Sequence, residues 1–375
     1  MNNDARDLLL RRIAKELDIP EEKRDNAIKS YESVGEYLGN NISKKVEIFP
    51  QGSFRLGTVI KPLSDEDDYD IDLVCKIDMK SENPKEVKNI VGDALKRSER
   101  YKEMLKNEEG RRCWTLEYAS SAKFHMDILP SIESERYTYD KTLKITDYNK
   151  EKGEYKFLLS NPEAYFEWFN EKSNEEMKIL KENYAVENRT RIEDVPDYKI
   201  KTTLQIATQI LKRYRDKKFE KDPDNKPISI ILTTIMGKAY SGENNVYELI
   251  CKFSKEWKNH ITTKDGVDWI ENPVNPNENF ADKWGEHPER REAFYKFTRE
   301  LKEDIANEKF IVNVRDGAQN YKDLFGERIV ERATANLGKE AKKLEEYGKM
   351  YVNTDSKINF EKKGTQVTKH SNYGK

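Results

Sequence analysis

The chain has 375 residues, of which 37% are charged and 36% hydrophobic, so it can bury the cores of two domains and is not disordered throughout. Its 68 Lys and Arg residues nearly balance 70 Asp and Glu residues, giving a net charge of −2. Proteins that constitutively bind duplex DNA or RNA usually carry a basic excess. We therefore expect no stable nucleic-acid partner.

The cysteine, histidine and apolar patterns exclude further classes of protein. The three cysteines are scattered without a Cys-x-x-Cys pair, and the four histidines are dispersed, so neither disulfides nor a zinc site is predicted. No run of about 18 apolar residues occurs, and the N-terminus lacks a signal-peptide core. We expect a cytoplasmic protein without membrane association, in which each histidine, including His125, is a structural or surface residue.

Residues 4–40 carry two apolar stripes at helical spacing. Pro20 is placed to start the second helix, and Gly39 could end it. The two helices are predicted to pack as a bracket behind the sheet that follows.

Residues 48–74 (IFPQGSFRLGTVIKPLSDEDDYDIDLV) combine a short strand, a turn at Gly52-Ser53 and a second strand. In the second strand Asp70 and Asp72 point to the same face, because side chains alternate. Adjacent carboxylates repel each other, and a divalent cation that prefers oxygen ligands, Mg²⁺ or Mn²⁺, removes this cost. Gly52 lets a phosphate approach the backbone, and Ser53 adds a hydroxyl donor. Together these features predict a nucleotidyl-transfer site.

Two pairs of acidic residues fit this pattern, because Asp68 and Asp70 have the same spacing as Asp70 and Asp72. We favour Asp70 and Asp72, since the apolar run 71–77 continues from them as a buried strand would. The acidic run 65–68 is then a solvated loop.

A third carboxylate, Asp127, is predicted on a neighbouring strand. Alternate apolar residues in the segment 123–129 share one face, so Asp127 emerges on the other. Pro130 is expected to end this strand. Residues 84–106, which precede it, are predicted to form one charged helix.

Beyond residue 160 the helical period dominates the chain. Helices are predicted from residue 162 and at 198–218, 230–240, 288–307 and 321–349, after a loop or hairpin at 135–160. Residues 350–375 are polar and predict a flexible C-terminal tail. The predicted domains are an α+β catalytic lobe with its helical bracket at residues 1–155 and a helical lobe at residues 156–349.

The motifs Gln51-Gly52-Ser53 and Asp70-Ile71-Asp72, with the distant Asp127, match position by position the nucleotidyltransferase core of the bacterial CD-NTases. The chain resembles this family, which is related to animal cyclic GMP-AMP synthase, up to about residue 350. The resemblance implies a two-lobed, polymerase-β-like α+β fold. It also implies a metal-dependent enzyme that joins nucleoside triphosphates into a cyclic di- or trinucleotide second messenger, in bacterial antiphage defence.

The resemblance also implies roles for individual residues. In the family, a Lys late in one helix and a Ser opening the next reach the triphosphate, and Lys212 and Ser229 match these positions. The expected triphosphate-binding residues are Gln51, Gly52, Ser53, Lys212 and Ser229. The expected catalytic and metal-binding residues are Asp70, Asp72 and Asp127, which would hold two Mg²⁺ ions, with Mn²⁺ as a substitute. A nucleotide hydroxyl then attacks the α-phosphorus, pyrophosphate leaves, and a second attack closes the ring.

Two alternative functions stay open. A template-independent nucleotidyltransferase acting on RNA or tRNA ends would use the same chemistry with a basic groove, and a catalytically silent binding module would share the fold. The expected partners are nucleoside triphosphates and a downstream effector that reads the product. Some relatives carry a C-terminal glycine that a ubiquitin-like conjugating partner joins to other molecules, but here Lys375 follows Gly374.

Overall fold

In the computed structural model the chain separates into two compact units, which are described one at a time. One unit is Leu17–Asn307, and the other combines Met1–Glu16 with Glu308–Lys375. The structure describes residues 3–64, 68–106, 109–118, 124–134, 139, 141–195, 199–306, 314–346, 351–352, 358–359 and 365–366. No helix in these ranges is both long enough and apolar enough to cross a membrane.

A six-stranded mixed sheet organises the unit Leu17–Asn307. Its order is β1-β2-β4-β5-β6, with β3 also paired to β4. The strands are β1 (Val46–Gln51), β2 (Tyr69–Ile77), β3 (Trp114–Glu117), β4 (Phe124–Glu133), β5 (Leu143–Asn149) and β6 (Glu154–Ser160). Strands β2 and β4 are parallel, and the other pairs are antiparallel. Short strands β7 (Thr262–Lys264), β8 (Val267–Trp269), β9 (Glu271–Asn272) and β10 (Asn275–Asn279) form two small hairpins.

One face of the sheet is apolar and packs against helices. Ile71, Leu73, Met126 and Ile128 are fully buried there, together with side chains of α2 (Glu21–Asn41) and α4 (Pro84–Arg97). This burial is the main favourable free energy of the lobe. The opposite face therefore carries the residues that alternate with this core, including the predicted acidic side chains.

Strand β4 does not end at Pro130, as the sequence predicted, but continues to Glu133. Residues up to Ile128 pair with β3, and pairing with β5 begins at Ser131. Pro130 lies at this change of neighbour, where on that side no ladder hydrogen bond depends on its missing N–H.

Further helices complete the same unit. These are α3 (Gly52–Arg55), α5 (Glu99–Met104), α6 (Pro162–Lys172), α7 (Asn174–Asn188), α8 (Thr203–Lys218), α9 (Ser229–Ala239), α10 (Val246–Glu256) and α11 (Pro288–Ala306). The single helix predicted at 84–106 is therefore two helices, because Ser98 has an extended backbone and caps α5 by accepting from Tyr101 N. Of the loop or hairpin predicted at 135–160, the part formed by β5 and β6 is a hairpin.

Helix α8 is hydrogen-bonded to the chain segment 56–62, which follows α3. Gln205, Gln209, Lys212 and Arg213 each donate from their side chains to backbone carbonyl groups of this segment. The acceptors are, in the same order, the carbonyl oxygens of Leu56, Val59, Thr58 and Lys61, at 3.0, 2.8, 3.0 and 2.7 Å. We call this set of hydrogen bonds the α8 clamp. It holds α8 against the segment that directly follows the Gly52-Ser53 turn.

The second unit contains α1 (Asn3–Leu17), α12 (Val314–Phe325) and α13 (Glu327–Glu346). Arg12 Nη1 donates to Glu340 at 2.8 Å, and Asn336 donates to Glu16 at 2.8 Å, which ties α1 to α13. The single helix predicted at 321–349 is wrong, since Gly326, with φ of +101°, separates α12 from α13. Within the predicted tail, strand β11 (Tyr351–Val352) pairs with both β12 (Ile358–Asn359) and β13 (Thr365–Gln366).

Candidate active site

The register of the central strands brings the predicted acidic residues side by side. In the parallel pair β2/β4, Asp72 lies opposite Asp127, and Asp70 lies opposite His125. Gln51, the last residue of β1, lies opposite Asp72 on the other side. Residues opposed in register share a sheet face, and residues two apart along a strand share it too. All of these side chains therefore belong to the face opposite the apolar core.

Gly52 begins the short helix α3 directly after Gln51, and Ser53 follows it. The φ of Gly52 is +62°, in the left-handed region. A Cβ at this position would overlap the carboxylate oxygen Oδ2 of Asp72. Glycine is therefore required both by the backbone conformation and by the close approach of Asp72. The predicted phosphate turn and the predicted acidic strand are immediate neighbours.

Negative charge is crowded at Asp72. Its pKa is raised to about 7, first because burial removes water from the carboxylate and then because Asp70 and Asp127 are negatively charged. Lys212 acts in the opposite direction, which places its charge within electrostatic reach of Asp72. The negatively charged carboxylates on this face therefore repel one another.

A hard divalent cation suits this donor set. Mg²⁺ binds through one or two carboxylates plus substrate phosphates. Burial is the main cause of the raised pKa of Asp72, and a positive ion would offset the carboxylate repulsion that raises it further. In the described part of the chain, no three His, Cys, Asp or Glu side chains already converge as a metal cluster. The fit to Mg²⁺ therefore rests on donor chemistry and crowded charge, and metal binding by Asp70, Asp72 and Asp127 stays a prediction.

Thr115 and His125, which the sequence interpretation did not assign to the site, contact the acidic side chains. Thr115 lies opposite Asp127, and its hydroxyl donates to Asp127 Oδ1. His125 Nε2 lies 3.0 Å from Asp70 Oδ1. The signal that could have identified His125 is its spacing of two residues from Asp127 within the same predicted strand.

Lys212 is buried in α8, with its Nζ donating to the carbonyl oxygen of Thr58 at 3.0 Å. Its pKa is lowered to about 7, first by desolvation and then by the positive charge of Arg215, whereas Asp216 and Asp72 raise it. A lysine held this way can take up a proton when an anion arrives. Its assignment as a triphosphate ligand remains a prediction.

Ser229 is the first residue of α9, and its side chain does not cap that helix, since the N-cap position is Ile228. Its hydroxyl oxygen instead accepts a hydrogen bond from Arg215 Nη1 at 2.8 Å. Arg215 is buried and also bonds Asp216. The start of α9 is therefore hydrogen-bonded to the end of α8. Lys212 and Ser229 lie on these two connected helices.

Comparison with known proteins identifies relatives of this chain. The Second Messenger Oligonucleotide or Dinucleotide Synthetase domain (SMODS) matches residues 7–173. A c-di-GMP synthase of Roseivirga ehrenbergii is 32% identical over 322 residues, covering 84% of this chain and 81% of that protein. The CD-NTase CdnG of Bradyrhizobium diazoefficiens, solved in complex with GTP, matches with a TM-score of 0.68 at 21% identity, covering 87% of this chain and 97% of CdnG.

A second solved structure, the Vibrio cholerae DncV cyclic AMP-GMP synthase, matches with a TM-score of 0.54 at 14% identity, covering 88% of this chain and 89% of DncV. These structural matches show the fold, an α+β fold of the polymerase-β-like nucleotidyltransferase class, and they confirm the predicted fold class. The chain belongs to the CD-NTase family, as its motifs indicated.

Proposed function

We propose that this protein condenses nucleoside triphosphates into a cyclic di- or trinucleotide and releases pyrophosphate. The observation that carries the proposal is the placement of Asp70, Asp72 and Asp127 on one sheet face beside Gly52. Membership of the family supports it, because the c-di-GMP synthase relative is 32% identical over most of both chains.

The phosphate side of the site consists of the turn after β1 and the neighbouring helices. Gln51, Gly52 and Ser53 would hold the triphosphate, with Lys212 and Ser229 approaching from α8 and α9. A bound polyanion favours the protonated form of Lys212, whose pKa is otherwise lowered to about 7. The positive charge is then supplied where the leaving pyrophosphate develops its negative charge.

Asp70, Asp72 and Asp127 would hold Mg²⁺ or Mn²⁺, which when bound would neutralise phosphate charge and lower the pKa of the attacking hydroxyl. Thr115 donates to one oxygen of Asp127, and this contact would help to hold the carboxylate in place for metal binding. A ribose hydroxyl attacks the α-phosphorus, and the bond to pyrophosphate breaks. For a cyclic dinucleotide, a second attack within the linear intermediate closes the ring and releases a second pyrophosphate. A cyclic trinucleotide requires a third triphosphate, a third attack and a third pyrophosphate.

The biological part of the proposal follows from the family resemblance. The cyclic product would act as a second messenger in antiphage defence, read by a separate effector protein. Conjugation of the tail by a ubiquitin-like partner would involve Gly374, which with Lys375 lies outside the described residues. Since the relative with 32% identity is a c-di-GMP synthase, GTP is the first substrate to test.

The proposal is tested with the double variant Asp70→Asn, Asp72→Asn. Purified wild-type protein is incubated with ATP, GTP, CTP and UTP in Mg²⁺ or Mn²⁺, and the products are identified by mass spectrometry. We expect a cyclic oligonucleotide from the wild type and roughly 10³-fold less from the double variant, because several kcal/mol of charge stabilisation is lost.

Asp78→Asn is the matched control, since Asp78 follows the far end of β2 and is exposed. It should retain wild-type activity, and all variants should show wild-type circular dichroism. Undiminished synthesis by the double variant would refute the site. Extension of an added RNA, without any cyclic product, would replace the proposal with the RNA-end nucleotidyltransferase.

A further inference from the structure

Two of the three acidic side chains of the site have a neighbour that restricts their position. Asp72 is packed against the backbone of Gly52, where even a Cβ would overlap it. Asp127 accepts from the Thr115 hydroxyl on the adjacent strand. Asp70 has no comparable packing, because its side chain is 67% exposed. If Asp70 is held in one orientation, another contact must hold it.

His125 is the residue opposite Asp70 in the β2/β4 ladder, and its imidazole lies between two carboxylates. Its Nε2 is 3.0 Å from Asp70 Oδ1, and its Nδ1 is 3.4 Å from Asp68 Oδ2. The distance between Nε2 and Oδ1 is within hydrogen-bonding range, and an imidazole nitrogen that carries a proton can donate to an ionised carboxylate. The close contact of His125 with Asp70 is at Oδ1.

We propose that His125 is a positioning residue, which donates from Nε2 to Asp70 and so holds this carboxylate as a ligand of a divalent cation shared with Asp72 and Asp127. The proposal rests on the proposed function, since it assigns His125 to that same site. Carboxylates that bind metals are themselves usually hydrogen-bonded, and removing the partner typically weakens metal affinity by about 10–100-fold. His125 supplies this interaction to the most exposed of the three carboxylates.

The experiment compares His125→Phe with His125→Gln in the full-length protein. Phenylalanine keeps ring volume without a donor, whereas the glutamine amide can place an N–H near the position of Nε2. Mn²⁺ affinity is measured without nucleotide, by electron paramagnetic resonance of the free ion, and kcat and the apparent KM for Mg²⁺ are measured with GTP. We expect His125→Phe to weaken Mn²⁺ binding by about 10–100-fold and to raise the KM for Mg²⁺ more than it lowers kcat.

His125→Gln should restore Mn²⁺ affinity to within a few-fold of the wild type, which a purely structural role would not predict. His287→Phe is the matched control, because His287 also has a ring nitrogen 3.1 Å from a carboxylate, that of Glu289, at another place in the fold. It should leave Mn²⁺ affinity unchanged. Melting temperatures of all variants should agree within a few degrees.

The outcomes separate the two proposals. Wild-type affinity in His125→Phe, or an equal loss in both His125 variants, would overturn the positioning role and leave the proposed function standing. A wild-type protein that binds no Mn²⁺ and consumes no triphosphate would overturn both. Two results together would support both proposals. The double variant Asp70→Asn, Asp72→Asn should lose Mn²⁺ binding, and His125→Gln should bind Mn²⁺ more tightly than His125→Phe.

Discussion

At Gly52 the backbone is left-handed and the space beside it is taken by Asp72. For Gly52→Ala we therefore expect two effects, backbone strain of about 1–2 kcal/mol and displacement of the Asp72 carboxylate. A displacement of about 1 Å at a reacting centre can cost about 100-fold in rate. Steady-state product formation and the free energy of unfolding, measured on the same preparation, check this prediction.

Gly153→Ala provides the control for Gly52→Ala. Gly153, in the turn between β5 and β6, has a φ of +65°, but nothing lies within 4 Å of the position a Cβ would take. It should lose similar stability without losing activity. If both variants lost activity equally, the effect of Gly52→Ala would be due to strain and not to Asp72.

The sequence predicted which side chains share the acidic face, but not what surrounds them. Alternation along a strand is enough to place Asp70 with Asp72 and to turn Asp127 away from its apolar neighbours. Contacts such as His125 with Asp70 depend on the register between strands that are distant in sequence. No local pattern specifies that register, so such contacts could be found only in the structure.

At the scale of elements, Gly326 determines where the C-terminal helical stretch breaks. Its N–H donates to the Lys322 carbonyl oxygen at 2.9 Å, which ends α12, and its φ of +101° cannot continue a helix. The apolar period runs through this position, so a pattern of hydrophobic residues favours one helix. The backbone freedom of a single glycine overrides that pattern.

Two glycine-to-alanine changes in this stretch should have opposite effects. Gly326→Ala should lower the free energy of unfolding by about 1–2 kcal/mol, because alanine is strained at positive φ. Gly338→Ala, inside α13 with nothing within 4 Å, should raise it by up to about 1 kcal/mol through helix propensity. Urea denaturation of both variants measures this, and changes of the same sign would contradict the break at Gly326.

Pro130 and Ser98 show the same limit of sequence interpretation. Proline usually excludes a central strand, yet β4 passes through Pro130 because its neighbour changes there from β3 to β5. Ser98 divides a continuous charged segment by capping α5. In each case a tertiary neighbour or a cap decides the boundary, whereas the helices and strands themselves followed from their apolar periods.

At the scale of the whole molecule, Lys212 joins α8 to the segment behind the phosphate turn. Its pKa is lowered to about 7 in the folded protein, whereas an unfolded lysine titrates near 10.4. Between these values the unfolded chain binds more protons, so stability rises with pH. The free energy of unfolding of Lys212→Met, minus that of the wild type, should therefore be larger at pH 6 than at pH 9.

Urea denaturation at the two pH values, without nucleotide, checks the Lys212 prediction. Lys255→Met is the control, because Lys255 is an exposed residue of α10. For that variant the difference from the wild type should not depend on pH. A pH-independent difference for Lys212→Met would show that Lys212 is protonated in the folded protein across this range.

The α8 clamp has a consequence for how the polypeptide can be divided. A fragment truncated after residue 155 would keep the segment 56–62 but lose the donors that satisfy its carbonyl groups. The complementary fragment would expose Arg213 and Lys212, which are buried in the intact chain. We therefore expect the sheet and α8 to unfold together, and we expect damage to α8 to disturb the proposed nucleotide site without altering any acidic residue.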